Sequence, residues 1–430
     1  MTKLRSGQTF LYRSAGYDST VIEIRMKEKV TGSYLQVALT DALKRFPYMA
    51  QKLVEKDGSY YLHRDDVSMT VMKTRKFRVL GSMSTGYHLI DVTYTENLIR
   101  VAFHHGLCDG RGVMPFVETL LYLYCCQKYK RKFSSDGIRL PGEPVPPEET
   151  LEPFGREHFP VDGPAEAPPD FVEGFALPES TLKPEACYHT EFLLDEGAFV
   201  RAAKSMGATP ALFVAILLSR CVRKLNPQAE RPVLCNLAMD LRPAVGMEQT
   251  HRNCVGSVAF PFTAEDENRE LPEIAKEYRR FLNVQRDPDL IRAGLNRQID
   301  LFNRLDALET LEEKRKLMSI FDGMINHTYV ISYMGRLRTN DYAEHIDSAH
   351  FYSDTIRGLT MNMMSAGGRL TMELLQGFPE IRYAEAFVET LKPFGLLSAT
   401  GTEPIVTGGD KSYITASRQA ERYYAKPEEG

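Results

Sequence analysis

Apolar residues recur at every third or fourth position in several segments of the chain, and this spacing predicts helices. Residues 34–49 carry one apolar stripe that ends near a proline, which is typical of an amphipathic helix against a sheet. Residues 211–225 are apolar on nearly every side, so we expect that helix to be buried. Further helical patterns lie in residues 113–124, 271–317 and 383–391.

Shorter segments rich in β-branched and aromatic residues, bounded by glycine, proline or asparagine, predict strands. Four of these segments pair as two hairpins, one turning at Asp57-Gly58 and the other at Gly367-Gly368. The predicted strands are residues 51–55, 60–63, 98–103, 187–194, 233–239, 253–260, 329–337 and the two arms within 360–375.

A change in composition divides the chain near its middle. Residues 140–184 are rich in proline, glycine and glutamate and show no sustained period, which indicates a linker between two lobes. Its phenylalanines, such as Phe154 and Phe159, suggest that it is pinned to a surface. We therefore expect an N-terminal lobe at 1–180, a C-terminal lobe at 181–400 and a polar tail at 401–430.

Composition excludes several classes of protein. The 430 residues are 43% hydrophobic, enough for a large core in two domains or one bilobal unit. A net charge of −4 gives no electrostatic footprint for nucleic acid or anionic membranes. Seven scattered cysteines without a CxxC pair are typical of reduced thiols. The sequence shows no long apolar run of the kind that predicts a leader peptide or a membrane span. We expect a cytoplasmic monomer.

One ten-residue stretch, 101–110, carries the clearest candidate chemistry. A strand pattern runs into His104-His105, and a helix pattern follows Asp109-Gly110. A neutral imidazole held at a strand end can take a proton from a hydroxyl or an amine. Asp109 could bond the ring directly or pair with an arginine that holds the loop. Adjacent strand residues point to opposite faces, so the two histidines do not suit one metal ion, and the sequence predicts no metal site.

The string HHGLCDG at 104–110 resembles the HHxxxDG signature of the chloramphenicol acetyltransferase and condensation-domain superfamily, which includes the alcohol acetyltransferases. The Arg45-Phe46-Pro47 sequence after a helix, followed by a hairpin, is also similar, and the resemblance spans roughly residues 30–395. It implies an α/β fold of two chloramphenicol-acetyltransferase-like lobes. Each lobe would be a mixed β-sheet flanked by helices, with the active-site tunnel between the lobes.

The resemblance also implies roles for individual residues. His105 would be the general base, while His104, Asp109 and Gly110 would shape the loop. Arg242, in the Asp-Leu-Arg-Pro sequence before an Asn/Gly-bearing strand, would be the salt-bridge partner of Asp109.

Two serines are candidate hydrogen-bond donors to a tetrahedral oxyanion, namely Ser257 and Ser332. Ser332 lies in a strand similar to the SNxG strand of the superfamily, but Tyr333 stands in place of the asparagine, so no amide role is carried over. The plant-type DFGWG motif is absent because the chain contains no tryptophan.

The implied reaction is acyl transfer from a thioester to a hydroxyl or amine without an acyl-enzyme, so Cys108 is interpreted as loop packing. We expect acyl-CoA as the co-substrate, no permanently bound cofactor, and small-molecule donor and acceptor as partners. One alternative is a stand-alone condensation-type enzyme that uses a donor bound to an acyl or peptidyl carrier protein. A second alternative is a catalytically silent binding or scaffold protein.

Overall fold

The computed structural model describes most of the chain, and the predictions for linker residues 162–172 and 180–187 and for tail residues 405–430 lie outside the described residues. The described residues are 1–12, 19–64, 68–161, 173–179, 188–322, 327–353 and 358–404.

Helices form where the apolar spacing predicts them. Thr209 caps the buried helix α5 (Pro210–Leu225) by accepting a hydrogen bond from the Leu212 N–H at 3.3 Å, and Pro210 occupies its first turn. The long pattern at 271–317 is divided among three helices. The α-helices of the described residues are α1 Gln8–Leu11, α2 Gly32–Arg45, α3 Gly110–Tyr129, α4 Glu196–Ser205, α5, α6 Arg242–Val245, α7 Leu271–Gln285, α8 Pro288–Asp306, α9 Leu311–Asp322 and α10 Arg382–Leu391.

The strands of the described residues form three sheets, and the two larger ones each contain parallel and antiparallel pairs. The strands are β1 Thr2–Lys3, β2 Ser19–Met26, β3 Gln51–Lys56, β4 Ser59–Arg64, β5 Met72–Lys73, β6 Ile90–Tyr94, β7 Leu98–His104, β8 Tyr188–Asp195, β9 Val233–Asp240, β10 Val255–Phe262, β11 Tyr329–Arg336, β12 Ile346–Tyr352, β13 Leu359–Ala366, β14 Arg369–Gln376 and β15 Leu397–Pro404. The sheet orders are β10-β9-β11-β13-β14-β8-β15, β12-β2-β7-β6-β5 and β1-β4-β3. The predicted mixed α/β class is confirmed.

One strand joins the two halves of the chain. β12 follows the proposed boundary by more than 160 residues, yet it pairs antiparallel with β2 and extends the sheet of the first half. β12 also packs against β13 and β14 of the seven-stranded sheet. The boundary near residue 180 therefore stays a prediction about chain composition, because the two halves share this strand. β15 pairs with β8 as far as Pro404, so residues 401–404 belong to the sheet and not to the tail.

The core runs through both larger sheets and their helices. α2 packs on α3, and the stripe predicted for α2 faces the core, with Leu35, Leu39 and Ala42 fully buried and Leu43 half-buried. α5 is buried along almost its whole length, as its all-round apolar sequence predicts. Among the described residues, no single helix is long and apolar enough to span a membrane, and α4 with α5 meet that criterion only as a pair bent by 75°.

The proline-rich linker is tied to the first half by a buried carboxylate. Glu149 accepts hydrogen bonds from Arg45 at 2.9 and 2.6 Å and from the Tyr48 hydroxyl at 2.7 Å, and Arg139 lies 2.8 Å away. Burial alone would raise the pKa of Glu149, but these donors lower it below its ordinary value. The Glu149 carbonyl also accepts from the His251 N–H at 2.9 Å, so the linker supports the segment that precedes β10.

Glu149→Gln should destabilise the fold by about 3–5 kcal/mol near neutral pH, because the buried Arg45 and the half-buried Arg139 would lose their carboxylate. The folded carboxyl has a lower pKa than the unfolded one, so its stabilisation is present above the unfolded pKa and is lost as the pH falls. The difference between variant and wild type, measured by denaturant unfolding, should therefore shrink below about pH 4.

Glu148→Gln is the matched control, since Glu148 lies on the same turn and is exposed. Equal stability of the two variants at neutral pH would contradict the structural role of Glu149.

Candidate active site

The paired histidines lie where β7 ends, and their two rings have different surroundings. β7 pairs with β2 through Ser19 opposite His104, which holds this strand end inside the five-stranded sheet. His104 is buried, and its Nδ1 accepts a hydrogen bond from the Gly106 N–H at 2.8 Å. That bond closes the turn after the strand, so His104 shapes the backbone of the loop. His105 is half-buried and faces a cavity.

Three side chains from distant parts of the sequence surround the His105 ring. The Thr20 hydroxyl lies 3.2 Å from Nε2. The Asn253 amide lies 3.4 Å from Nδ1 and donates to the His105 carbonyl at 3.3 Å, while its own oxygen accepts from the Val255 N–H. The Phe10 ring stacks on the imidazole with centroids 4.4 Å apart and an interplanar angle of 16°. The ring is therefore fixed in orientation from both edges and one face.

Phe10 reaches the histidine because the N-terminal segment is fastened over the loop. The Ser6 N–H and hydroxyl both donate to Glu152, at 3.0 and 2.9 Å. Gly7 adopts φ = 82°, and a Cβ on this residue would lie 2.4 Å from the His105 carbonyl oxygen. Only glycine fits this combination of left-handed backbone and close approach.

Asp109 is a buried carboxylate with three donors. Its Oδ1 accepts from the Gly112 N–H at 2.8 Å, which caps α3, and from Arg242 Nη2 at 2.7 Å. Its Oδ2 accepts from the Cys254 N–H at 2.8 Å. The structure thus brings Asp109 and Arg242 together, and of the two arrangements left open by the sequence it shows the one in which the aspartate pairs with an arginine.

Arg242 uses its whole guanidinium in this region. Nη1 donates to Asp240 at 2.9 Å, Nε to the Thr250 carbonyl at 2.8 Å, and Nη2 to the Arg252 carbonyl at 2.7 Å in addition to Asp109. Burial alone would lower the pKa of Arg242, but the Asp109 and Asp240 carboxylates raise it, so the side chain stays charged. A planar fork with several fixed donors joins the histidine loop to the segment that carries Asn253.

A cavity of about 330 Å³ lies between elements of both halves of the chain. It brings together His105 with the two serines considered as oxyanion donors, Ser257 and Ser332, and it also contacts Gly110 and Arg242. Tyr333, which replaces the expected asparagine, lines the cavity as well. The remaining lining residues are Phe10, Thr20, Asp109, Arg111, Asn236, Ala238, Met239, Asp240, Val255, Gly256, Val330, Met334, Phe351 and Ser353.

Cys108 lies inside the motif but is placed for packing. Its side chain is fully buried, and burial raises the pKa of its thiol well above the ordinary value. A thiol that resists ionisation is a poor nucleophile. The surroundings of Cys108 thus match its interpretation as part of the loop's packing.

Sequence reasoning did not single out Phe10 or Thr20, and it named Asn253 only as part of a strand. Thr20 could have been found from strand pairing, because it lies opposite Phe103 in the β2–β7 ladder, next to the histidines. Phe10 offered no signal, since its contact with His105 depends on how the N-terminal segment folds over the loop.

Arg242→Gln should destabilise the protein by about 3–5 kcal/mol, because it leaves the buried Asp109 carboxylate without its counter-charge. Asp240→Asn is the matched control, because it removes the other carboxylate partner of Arg242. The Asp240 side chain is 36% exposed, so its loss should lower the free energy of unfolding by less than about 1 kcal/mol. Denaturant unfolding of both variants measures the difference. Similar losses would show that the buried pair is no more important than the exposed one.

Gly112→Ala should destabilise far more than Gly110→Ala, although both residues lie in the first turn of α3. A Cβ at Gly112 would lie 2.0 Å from the His251 carbonyl oxygen, which is backbone, whereas a Cβ at Gly110 would meet the flexible Met334 side chain at 2.2 Å. Thermal unfolding of the two variants tests this. A smaller loss at Gly112 would contradict the close approach of α3 to residue 251.

Comparisons with known proteins give structural likenesses only. No protein-family model matches the chain, and no curated protein matches it in sequence. Polyketide synthase associated protein 5 from Mycobacterium tuberculosis is 14% identical, with a TM-score of 0.59 over 91% of this chain and 98% of that chain. TRI101 of F. sporotrichioides, complexed with coenzyme A and T-2, is 13% identical, with a TM-score of 0.57 over 92% and 98%.

The epimerization domain from the third module of tyrocidine synthetase B is also similar, with 12% identity and a TM-score of 0.53 over 94% of this chain and 92% of that chain. These likenesses confirm the fold that the motif at 104–110 predicts. The chain therefore has the fold of these three solved structures, a mixed α/β fold like the one that the resemblance at residues 104–110 implies.

Proposed function

We propose that this protein is an acyltransferase that moves an acyl group from a thioester, with acyl-CoA as the favoured donor, to a hydroxyl or amine. The observation that carries the proposal is the placement of His105 on the wall of a small-molecule-sized cavity, with its ring held on three sides. The buried Asp109–Arg242 pair holds the loop behind it.

In the proposed reaction His105 is the general base. The Thr20 hydroxyl lies 3.2 Å from Nε2, and an acceptor hydroxyl or amine that gives its proton to Nε2 would replace this contact. As the acceptor loses its proton to the imidazole, its oxygen or nitrogen forms a bond to the thioester carbonyl carbon. The carbon–sulfur bond then breaks, and the imidazolium returns the proton to the leaving thiolate.

Ser257 and Ser332 are the proposed donors to the oxygen that becomes negatively charged in this step. Both line the same cavity as His105. A preorganised donor at such a position lowers the free-energy barrier of acyl transfer by about 3 kcal/mol. The chemistry requires no acyl-enzyme, which agrees with the raised pKa of the buried Cys108 thiol.

The nature of the donor separates this proposal from its main alternative. Support for acyl-CoA comes from the likeness to TRI101, which is complexed with coenzyme A. Support for a carrier-protein donor comes from the likeness to the epimerization domain of tyrocidine synthetase B, a part of a synthetase module. The two donors carry the same thioester, so the His105 chemistry is common to both.

His105→Ala should lower acceptor-dependent release of free thiol from acyl-CoA by roughly 10²–10⁴-fold, because the variant lacks the group that accepts the proton. The measurement is free thiol released from a panel of acyl-CoAs with mixed alcohols and amines. Cys108→Ala is the matched control in the same loop and should retain turnover, because no bond to the cysteine is formed.

If the wild type releases thiol only from a loaded carrier protein, the donor is carrier-bound and not acyl-CoA, and the proposed role of His105 as the base is unchanged. Loss of turnover in Cys108→Ala with a soluble, folded protein would contradict direct transfer. A folded wild type that is silent with both donors would contradict the proposal and favour a binding or scaffold role.

A further inference from the structure

A row of buried polar residues crosses one face of the seven-stranded sheet. The strand register places Ser332 opposite Asn362, Asn362 opposite Glu373, and Glu373 opposite Glu191. Directly opposed residues share a face of the sheet. The row therefore runs from the wall of the cavity, at Ser332, to two glutamates on β14 and β8.

The glutamates meet histidines from two strands. His350, on β12, lies with Nδ1 2.6 Å from Glu373 Oε1 and 3.5 Å from Glu191 Oε2. His189, on β8, contacts the other Glu373 oxygen through Nε2. His350 and Glu373 have no exposed surface, whereas the Glu191 side chain is 22% exposed. Four potential ligand side chains thus converge where β12 packs on the seven-stranded sheet.

The carboxylates of this cluster need compensating positive charge beside them. Carboxylates directly opposite each other on neighbouring strands repel, and buried carboxylates need strong compensation. Arg25 supplies one positive charge, through a two-pronged contact with Glu191 at 3.0 and 2.8 Å. The Glu373 carboxylate instead faces the rings of His350 and His189.

One polar group in this row also lacks a hydrogen-bond partner among the described residues. Asn362 is fully buried beside Glu373, and its oxygen accepts from the Ser353 hydroxyl, but its Nδ2 has no partner among the described residues. Buried amide donors are nearly always satisfied. The unused donor calls for a hydrogen-bond acceptor at this position, and the oxygen of a metal-bound water would supply one.

We propose that Glu191, His350 and Glu373, with His189, form a binding site for a divalent transition metal of the zinc type that links the two sheets. The ligand atoms of the first three residues all lie within 4.8 Å of one another. Imidazole nitrogens and carboxylate oxygens form the donor set that zinc commonly takes.

The contacts around the ligands fit this site. The Ser348 hydroxyl lies 2.8 Å from His350 Nε2, so it can hold the tautomer whose Nδ1 faces the carboxylates. Arg25 orients Glu191 in the same way. Two ligands of a tetrahedral zinc ion are about 3.4 Å apart, so His350 and Glu373 would separate by less than about 1 Å when a metal replaces the shared proton.

The residues of this site are separated by up to 184 positions and form no motif, so they carry no metal-site signal in the sequence. Only the packing of β12 against β14 and β8 brings them together. The proposed site is distinct from the His105 cavity, since Phe351, the neighbour of His350 on β12, is the residue that lines that cavity.

The test uses the full chain, stripped with a chelator and then dialysed against zinc chloride. Wild type should retain about one zinc ion per chain, and the cobalt form should show visible d–d absorption. Glu373→Gln and His350→Asn should lose the metal. His158→Asn should retain it, because His158 is an exposed histidine paired with Asp300 elsewhere on the surface.

A second measurement covers the case in which a cluster variant does not fold. Zinc should raise the thermal unfolding midpoint of stripped wild type, since a ligand that binds only the folded state stabilises it. Wild type that retains no metal and shows no zinc-dependent shift would overturn the proposal and leave a network held by protons. His105→Ala should still bind zinc, which separates this inference from the proposed catalytic role.

Discussion

The candidate site depends on one buried ion pair, between Asp109 and Arg242. Both side chains have almost no exposed surface, and each makes several further hydrogen bonds to backbone groups. A buried ion pair of this kind is a poor source of net stability, because desolvation offsets much of the attraction. Its value lies in geometry: it fixes the start of α3, the loop after β7 and the segment before β10 relative to one another.

That geometry also explains how Asp109 can support His105, the proposed general base, while the hydrogen bonds of its own carboxylate go to other groups. Both Asp109 oxygens are occupied by Arg242 and by the Gly112 and Cys254 N–H groups. The carboxylate therefore acts on His105 through the backbone it organises. Within the part of the chain that the structure describes, the ring contacts the uncharged side chains of Thr20, Asn253 and Phe10.

The sequence predicted the parts of the fold that follow from local periodicity. The apolar stripe of α2, the all-round apolar α5 and the Thr209 cap could be identified because helix geometry repeats within a few residues. The pairing of Arg242 with Asp109 was accessible only through the resemblance, since no local rule relates residues 133 positions apart. Phe10 and β12 were inaccessible because their positions depend on long-range packing, which leaves no period in the sequence.

The same contrast separates the two polar centres of the molecule. The His105 site combines a contiguous sequence motif, residues 104–110, with neighbouring side chains from distant segments of the chain. No contiguous motif marks the cluster of His189, Glu191, His350 and Glu373. Its residues meet because β12, from the second half of the chain, pairs with β2 and places His350 beside the glutamates. Because Phe351 faces the cavity while His350 faces the glutamates, this one strand forms part of the cavity wall on one side and contacts the buried charges on the other. A shift of β12 would therefore disturb both centres together, which makes the packing of this strand the structural link between them.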